Sequence, residues 1–285
     1  MADICVFQNS VPCVGGYALR PPRYYPPIQP WTIRVRMATP GDVPQPEPYY
    51  AISYGGSATV TRLFDDMDIY DVTYEVSDWS HLLGRRSDSQ SGFIAEVLGA
   101  NTSGVVNMWA LFESQTALSS VSLFDTSSVE NMSSMFDSCT SLQSVPLFDT
   151  SSVETMGLMF HYCTSLQSVP LFDTSHVVNI SGMLHDCTSL TACPTFDLSN
   201  VTDADFFMDG CSALTEIPAF ATSSMVSVTY AFGGCTHVQS GAYALYRQMS
   251  SQATPPSRHT GTFRDCGSET RTGQSELARI PSNWK

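Results

Sequence analysis

The chain has 285 residues, 42% of them hydrophobic, and 27 acidic residues against 13 basic ones give a net charge of −14. That apolar share supports a packed core and excludes a chain disordered by composition. The acidic balance argues against nucleic acid and anionic membrane partners, both of which require Lys and Arg.

No run approaches 18 apolar residues, so no transmembrane helix is expected. The N-terminus MADICVFQNSVPCVGG lacks the basic and apolar regions of a secretory signal. Residues 1–30 include RPPRYYPPIQP, a Pro- and Tyr-rich stretch that predicts an extended arm. Such an arm would dock on a neighbouring subunit, giving a homo-oligomer through the N-terminal region, or sit as an idle cap. Next comes a small β-rich domain, residues 31–96, capping or anchoring the rest of the chain. WTIRVRMA alternates Trp31, Ile33, Val35 and Met37 with polar residues and predicts a strand, and YYAISYGGSATVTRLF predicts two strands across a Gly-Gly turn. DDMDIYD at 65–71 gathers Asp65, Asp66, Asp68 and Asp71. It lacks the Gly at position six and Glu at position twelve of a Ca²⁺ loop, so it reads as a solvated loop.

Residues 97–240 repeat with a period of 24. Phe recurs at Phe124, Phe148, Phe172, Phe196 and Phe220, and Cys at Cys139, Cys163, Cys187, Cys211 and Cys235. The Leu column runs Leu118, Leu142, Leu166, Leu190 and Leu214. A period of 24 falls within the leucine-rich-repeat range. Val153, Met156, Met159, Phe160 and Cys163 have helical spacing, with Ser151 and Glu154, like Ser127 and Glu130, as a capping box. SLQSVPL carries Leu142, Val145 and Leu147 in the pattern of a short strand. Together these predict an α/β chain: a leucine-rich-repeat solenoid of 24-residue strand–helix repeats, with the β-rich N-terminal domain at one end and a C-terminal cap at the other. Phe148 is expected inside, with Pro146 disturbing the alternation; the competing arrangement is an exposed Phe ladder. Stacked thiols point the same way and no C-x-x-C pair occurs, so the Cys column reads as inert core thiols rather than disulfides or zinc ligands.

Residues 241–285 form the cap. GAYALYRQMSSQ predicts a helix, FRDC at 263–266 echoes FDSC at 136–139, and LARIP echoes LTEIP, which suggests a last, interrupted coil.

None of the sequence signatures of a nucleophile elbow, a zinc protease or a phosphate-binding loop occurs, so catalysis is not expected and no cofactor is implied. Glu113, Asp137, His161, His185 and Asp209 share a column in which His161 and His185 would be neighbours, a weak candidate for a divalent metal or a pH-sensing pair. N-x-S/T triplets at Asn101, Asn131, Asn179 and Asn200 reflect Ser/Thr richness. The default binding surface is the concave face of the solenoid. Its outward columns would present Gln143, Ser144, Gln167, Ser168, Thr191, Thr215 and Glu216, short polar groups able to hydrogen-bond a sugar or a protein edge.

The unit L-x-x-V-P-L-F-D-T-S-x-V-x-x-M-x-x-M-F-x-x-C-x-S-L closely resembles the BspA-type leucine-rich repeats of bacterial surface proteins and of proteins encoded among phage structural genes. The flanks IYDVTYEVSDWSHLL and GTFRDCGSETRTGQSELARIPSNWK resemble a phage and prophage protein type. The resemblance implies surface display and binding without catalysis. The expectation is a virion protein, tail-associated or receptor-binding, that meets other virion proteins or a host-surface protein or glycan. A bacterial cell-surface adhesin and a purely structural decoration or spacer subunit are the alternatives.

Overall fold

The computed structural model describes residues 31–44, 58–64, 67–74, 79, 83 and 93–285. The N-terminal arm, Cys5, Cys13, the first half of YYAISYGGSATVTRLF with its Gly-Gly turn, Asp65, Asp66 and His81 lie outside the described residues.

The regular elements are β1 (Thr32–Met37), β2 (Ala58–Phe64), β3 (Met67–Tyr74), β4 (Ile94–Asn101), β5 (Ser120–Val121), α1 (Ala242–Ser250) and α2 (Arg271–Ala278). The strands form one mixed sheet in the order β2-β3-β1-β4-β5. All pairings are antiparallel except β4–β5, which is parallel. β1 is central, so Thr32, Ile33, Arg34, Val35 and Met37 are all buried rather than alternating.

The described part of DDMDIYD, Met67 to Asp71, is not a loop: it opens β3. Cross-strand cations explain why a strand tolerates these acids. Arg34 on β1 donates to both Asp71 oxygens at 2.7 and 2.8 Å, and Arg62 on β2 reaches Asp68 at 3.0 Å.

The strand–helix solenoid is overturned. Among the described residues the repeats hold no α-helix and, past β5, no strand. Regular structure is the mixed sheet plus α1 and α2, both C-terminal to the repeats. Each 24-residue unit is a coil of turns, and coils stack through isolated parallel bridges such as Asn131↔Thr155 and Thr155↔Asn179.

Hydrogen-bond destinations explain the missing helix. Met156, Leu158, Phe160 and Tyr162 send their N–H groups to Asn179, Ser181, Met183 and His185 of the next coil. Met159, His161 and Cys163 donate back to Met156, Leu158 and Phe160, three residues away. Half the donors an α-helix would use internally therefore bind the neighbouring coil. Two left-handed positions per coil make this possible: Ala110, Ser134, Leu158, Phe206 and Tyr230 form one column, Ser114, Ser138, Tyr162 and Asp186 the other. Such residues cost about 1–2 kcal/mol each, offset by cross-coil bonds repeated down the stack.

The expected strand half is extended but has almost no ladder. Pro146, Pro170, Pro194 and Pro218 lack an N–H, and Phe148 donates to the carbonyl of Pro146 two residues back. Few cross-coil bonds remain here: Gln167 N–H to the Gln143 carbonyl at 3.0 Å, Thr215 N–H to the Thr191 carbonyl at 3.3 Å and, at the last coil, Gln239 N–H to the Thr215 carbonyl at 2.8 Å and Ile217 N–H to the Ser240 carbonyl at 3.1 Å. The expected capping box is also absent. Ser151 donates through its N–H and hydroxyl to Asp149 Oδ1, at 3.1 and 2.7 Å, closing a local turn instead.

The core is continuous from sheet to cap. Phe148, Phe172, Phe196 and Phe220 are almost fully buried and Phe124 nearly so. Phe136 and Phe160 stack at 5.7 Å, and Phe160 and Phe172 at 6.3 Å. The helix expected near 241–252 is α1. At the cap the coil pattern resumes: Val228, Tyr230 and Phe232 donate to Arg258, Thr260 and Thr262. Phe263 N–H then bonds the Trp284 carbonyl, and LARIP lies in and just after α2 rather than in an extended segment.

Candidate interaction surface

One side of each coil is the extended segment between the Cys and the Asp of the repeat. Gln143, Ser144, Gln167, Ser168, Thr191, Thr215 and Glu216 are all exposed there. They line one side of the stack, on irregular extended chain rather than on the concave face of a parallel sheet. The backbone tie between coils runs through them: Gln143 to Gln167, then Thr191 to Thr215.

Beside them lies an apolar row. Leu123, Leu147 and Leu171 are 62%, 59% and 61% exposed in three successive coils. Two residues further on, the exposed carboxylates of Asp125, Asp149 and Asp173 occupy the same coils, and Asp197 continues the row in the next, where Thr195 replaces the Leu. Each is held below the usual carboxylate range, chiefly because the Ser two residues later, Ser127 for Asp125, hydrogen-bonds to it.

Between Asp and Ser stands a Thr that sequence reasoning passed over. Thr126, Thr150 and Thr174 are buried, and each hydroxyl donates to the Asp carbonyl of the next coil, Asp149, Asp173 and Asp197, at 2.7–2.8 Å. Thr102 makes the same bond to Asp125. The repeated F-D-T-S thus contains a core ring, a turn acceptor, a cross-coil tie and a turn donor. The signal was a polar residue that recurs as faithfully as the apolar ones.

On the turn side, His161 and His185 do meet, with ring centroids 4.9 Å apart. His161 Nδ1 lies 3.0 Å from Asp137, and His185 Nε2 lies 3.4 Å from Asp186 and 3.7 Å from Asp209. Burial pushes Asp209 up from its ordinary value, partly countered by His185. Among the described residues no group of three or more His, Cys, Asp or Glu is arranged to hold a metal ion; His161 is hydrogen-bonded to Asp137, and His185 stands at ion-pair distance from two carboxylates. The aromatic row continues through Phe206 and Tyr230, stacked at 5.5 Å. Their faces cover one another and leave edges to solvent, which makes a poor platform for a flat ligand.

The Cys column lies wholly inside. Each thiol donates to a backbone carbonyl, Cys163 to Phe136 and Cys187 to Phe160 at 3.1 Å, and burial pushes all five thiols well up. Cys266 in the cap is pushed up to about 12. Because only a thiolate attacks a disulfide reagent, these thiols should react about a hundredfold slower in the native protein than in denaturant. Mass-spectrometric labelling resolved by residue would show it, and fast labelling of Cys163 in the native state would contradict the packing.

Among the described residues no helix is long and apolar enough to cross a membrane. A family model described as a Mycoplasma protein of unknown function, DUF285, matches residues 87–193 and 141–244, together more than half of the chain. No curated protein matches the chain, and no solved structure does.

Proposed function

The chain belongs to the DUF285 family, which is also found in BspA-like surface proteins, and from that premise we propose that it is a non-enzymatic, virion-borne binding protein whose extended side meets a host surface or a neighbouring virion subunit. The observation that carries the reading is the uniform extended side. Gln143, Gln167, Thr191 and Thr215 repeat one short polar group per coil on a rigid support, every one exposed. Stacked coils offer such a column to an extended partner at a repeat of about 4.8 Å. The likeness of the flanking stretches to phage and prophage proteins supports the virion setting.

Occurrence of the family in surface proteins also favours a second setting, a bacterial cell-surface adhesin. Fractionation separates the two: the virion reading expects the protein in purified particles, and recovery only with cell wall material would replace it with the adhesin. For binding itself, replacing Gln143, Gln167 and Thr191 together by Lys should lower attachment to host cells by about tenfold or more, because interface centres tolerate unmatched charge poorly. Unchanged attachment would remove the extended side from the account and leave a spacer role.

A further inference from the structure

The Leu and Asp rows form a surface with a definite chemical demand. Three Leu side chains stand about 60% exposed on consecutive coils, flanked by four carboxylates at the same spacing. The sequence contains no Lys or Arg between Arg86 and Arg247, while Asp and Glu recur throughout that span. Asp149 is opposed by Asp125 and Asp173, so the row repels itself. A second copy of the same face would bring acid against acid. The complementary occupant is cationic, partly apolar and extended.

We propose that this occupant is residues 20–30 of the same chain, RPPRYYPPIQP. The segment combines Arg20 and Arg23 with Tyr25 and Ile28, and holds no acid. The described chain begins next to the first coils, directly after this segment. Pro30 precedes Trp31, whose indole Nε1 donates to the Ser103 carbonyl at 2.9 Å, and Thr32 pairs with Asn101, one coil period before Asp125. From β1 across β4 to β5 is two strand spacings, about 10 Å. Trp31 has φ 55, so the chain does not enter β1 in line with the strand.

Length and spacing agree as well. Ten residues of polyproline II reach about 31 Å, whereas the Leu row spans two coil spacings, about 10 Å. Arg20 and Arg23 are one polyproline turn apart, about 9 Å, close to the separation of Asp residues two coils apart. Laid across the coils, both guanidinium groups can meet carboxylates while Tyr25 and Ile28 cover Leu side chains. Docking of the arm is independent of host binding.

Trypsin tests it on the full-length protein. The Arg23–Tyr24 bond is cleavable, whereas Arg20 precedes Pro21 and is not. Docking predicts that Leu123→Ser, Leu147→Ser and Leu171→Ser combined speed cleavage after Arg23 by about tenfold, because proteolysis tracks the open population. Arg20→Glu, which leaves both the bond and the coils intact, should speed it in the same direction, as should raised salt. Protection should be unchanged by dilution. Equal cleavage of wild type and both variants overturns the proposal, and protection lost on dilution overturns it in favour of a second copy.

Discussion

Phe160→Ala is expected to destabilise the protein by about 3–5 kcal/mol, the range for removing a fully buried aromatic ring from a core. Phe160 has no exposed surface and stacks between Phe136 at 5.7 Å and Phe172 at 6.3 Å, so its loss opens space on two sides. The backbone around it cannot collapse to fill that space. Phe160 N–H is committed to the Met183 carbonyl, and the Phe160 carbonyl accepts both the Cys163 N–H and the Cys187 thiol. Phe206→Ala makes the comparison. Phe206 is 40% exposed and stacks on the surface, so its loss should cost about 1 kcal/mol. Urea unfolding would show the midpoint falling strongly for the first and little for the second. Similar midpoints would mean that the ring column does not hold the stack together.

The legibility of this fold in the residues is set by what a column can encode. A fixed Phe, Cys, Leu or Val every 24 residues says which side chains stack, and those four columns are buried. It does not say where backbone N–H groups go. Val153, Met156, Met159, Phe160 and Cys163 face one side in a helix, and they also face one side in consecutive tight turns, because both return the chain after three to four residues. The choice depends on partners one coil away. Two hints pointed to turns. Gly182, Gly210 and Gly234 occupy the same columns as the left-handed Leu158 and Tyr162, where a helix would disfavour Gly. The Pro column likewise argued against a paired strand. The surface was less legible. The polar columns are exposed as composition suggests, but strict strand alternation buries Leu147 together with Val145, and only the break at Pro146 that turns Phe148 inward leaves Leu147 outside.

Gly241→Ala is expected to cost about 3–5 kcal/mol, by adding a steric overlap to a left-handed backbone. Gly241 has φ +96, and a Cβ there would sit 2.1 Å from the Ile217 carbonyl oxygen and 3.0 Å from its carbon. Both obstacles are backbone, so no side-chain rotation relieves them. Ile217 is fixed in turn by its N–H bond to the Ser240 carbonyl, just before Gly241. The last coil meets α1 at this point, and the Gly241 carbonyl accepts the Leu245 N–H that starts the helix. Moving Gly241 aside would lift Ala242, Leu245 and Met249, the buried face of α1, off the final coil. Gly104→Ala separates the two causes. Gly104 has φ +78 with nothing near a Cβ, so alanine there incurs only the backbone term, about 1–2 kcal/mol. The difference between the two variants, read as unfolding midpoints under identical conditions, measures how tightly the cap closes on the coils. If the two fall together, α1 is not seated against Ile217, and the stack must be closed by the Trp284 end of the chain alone.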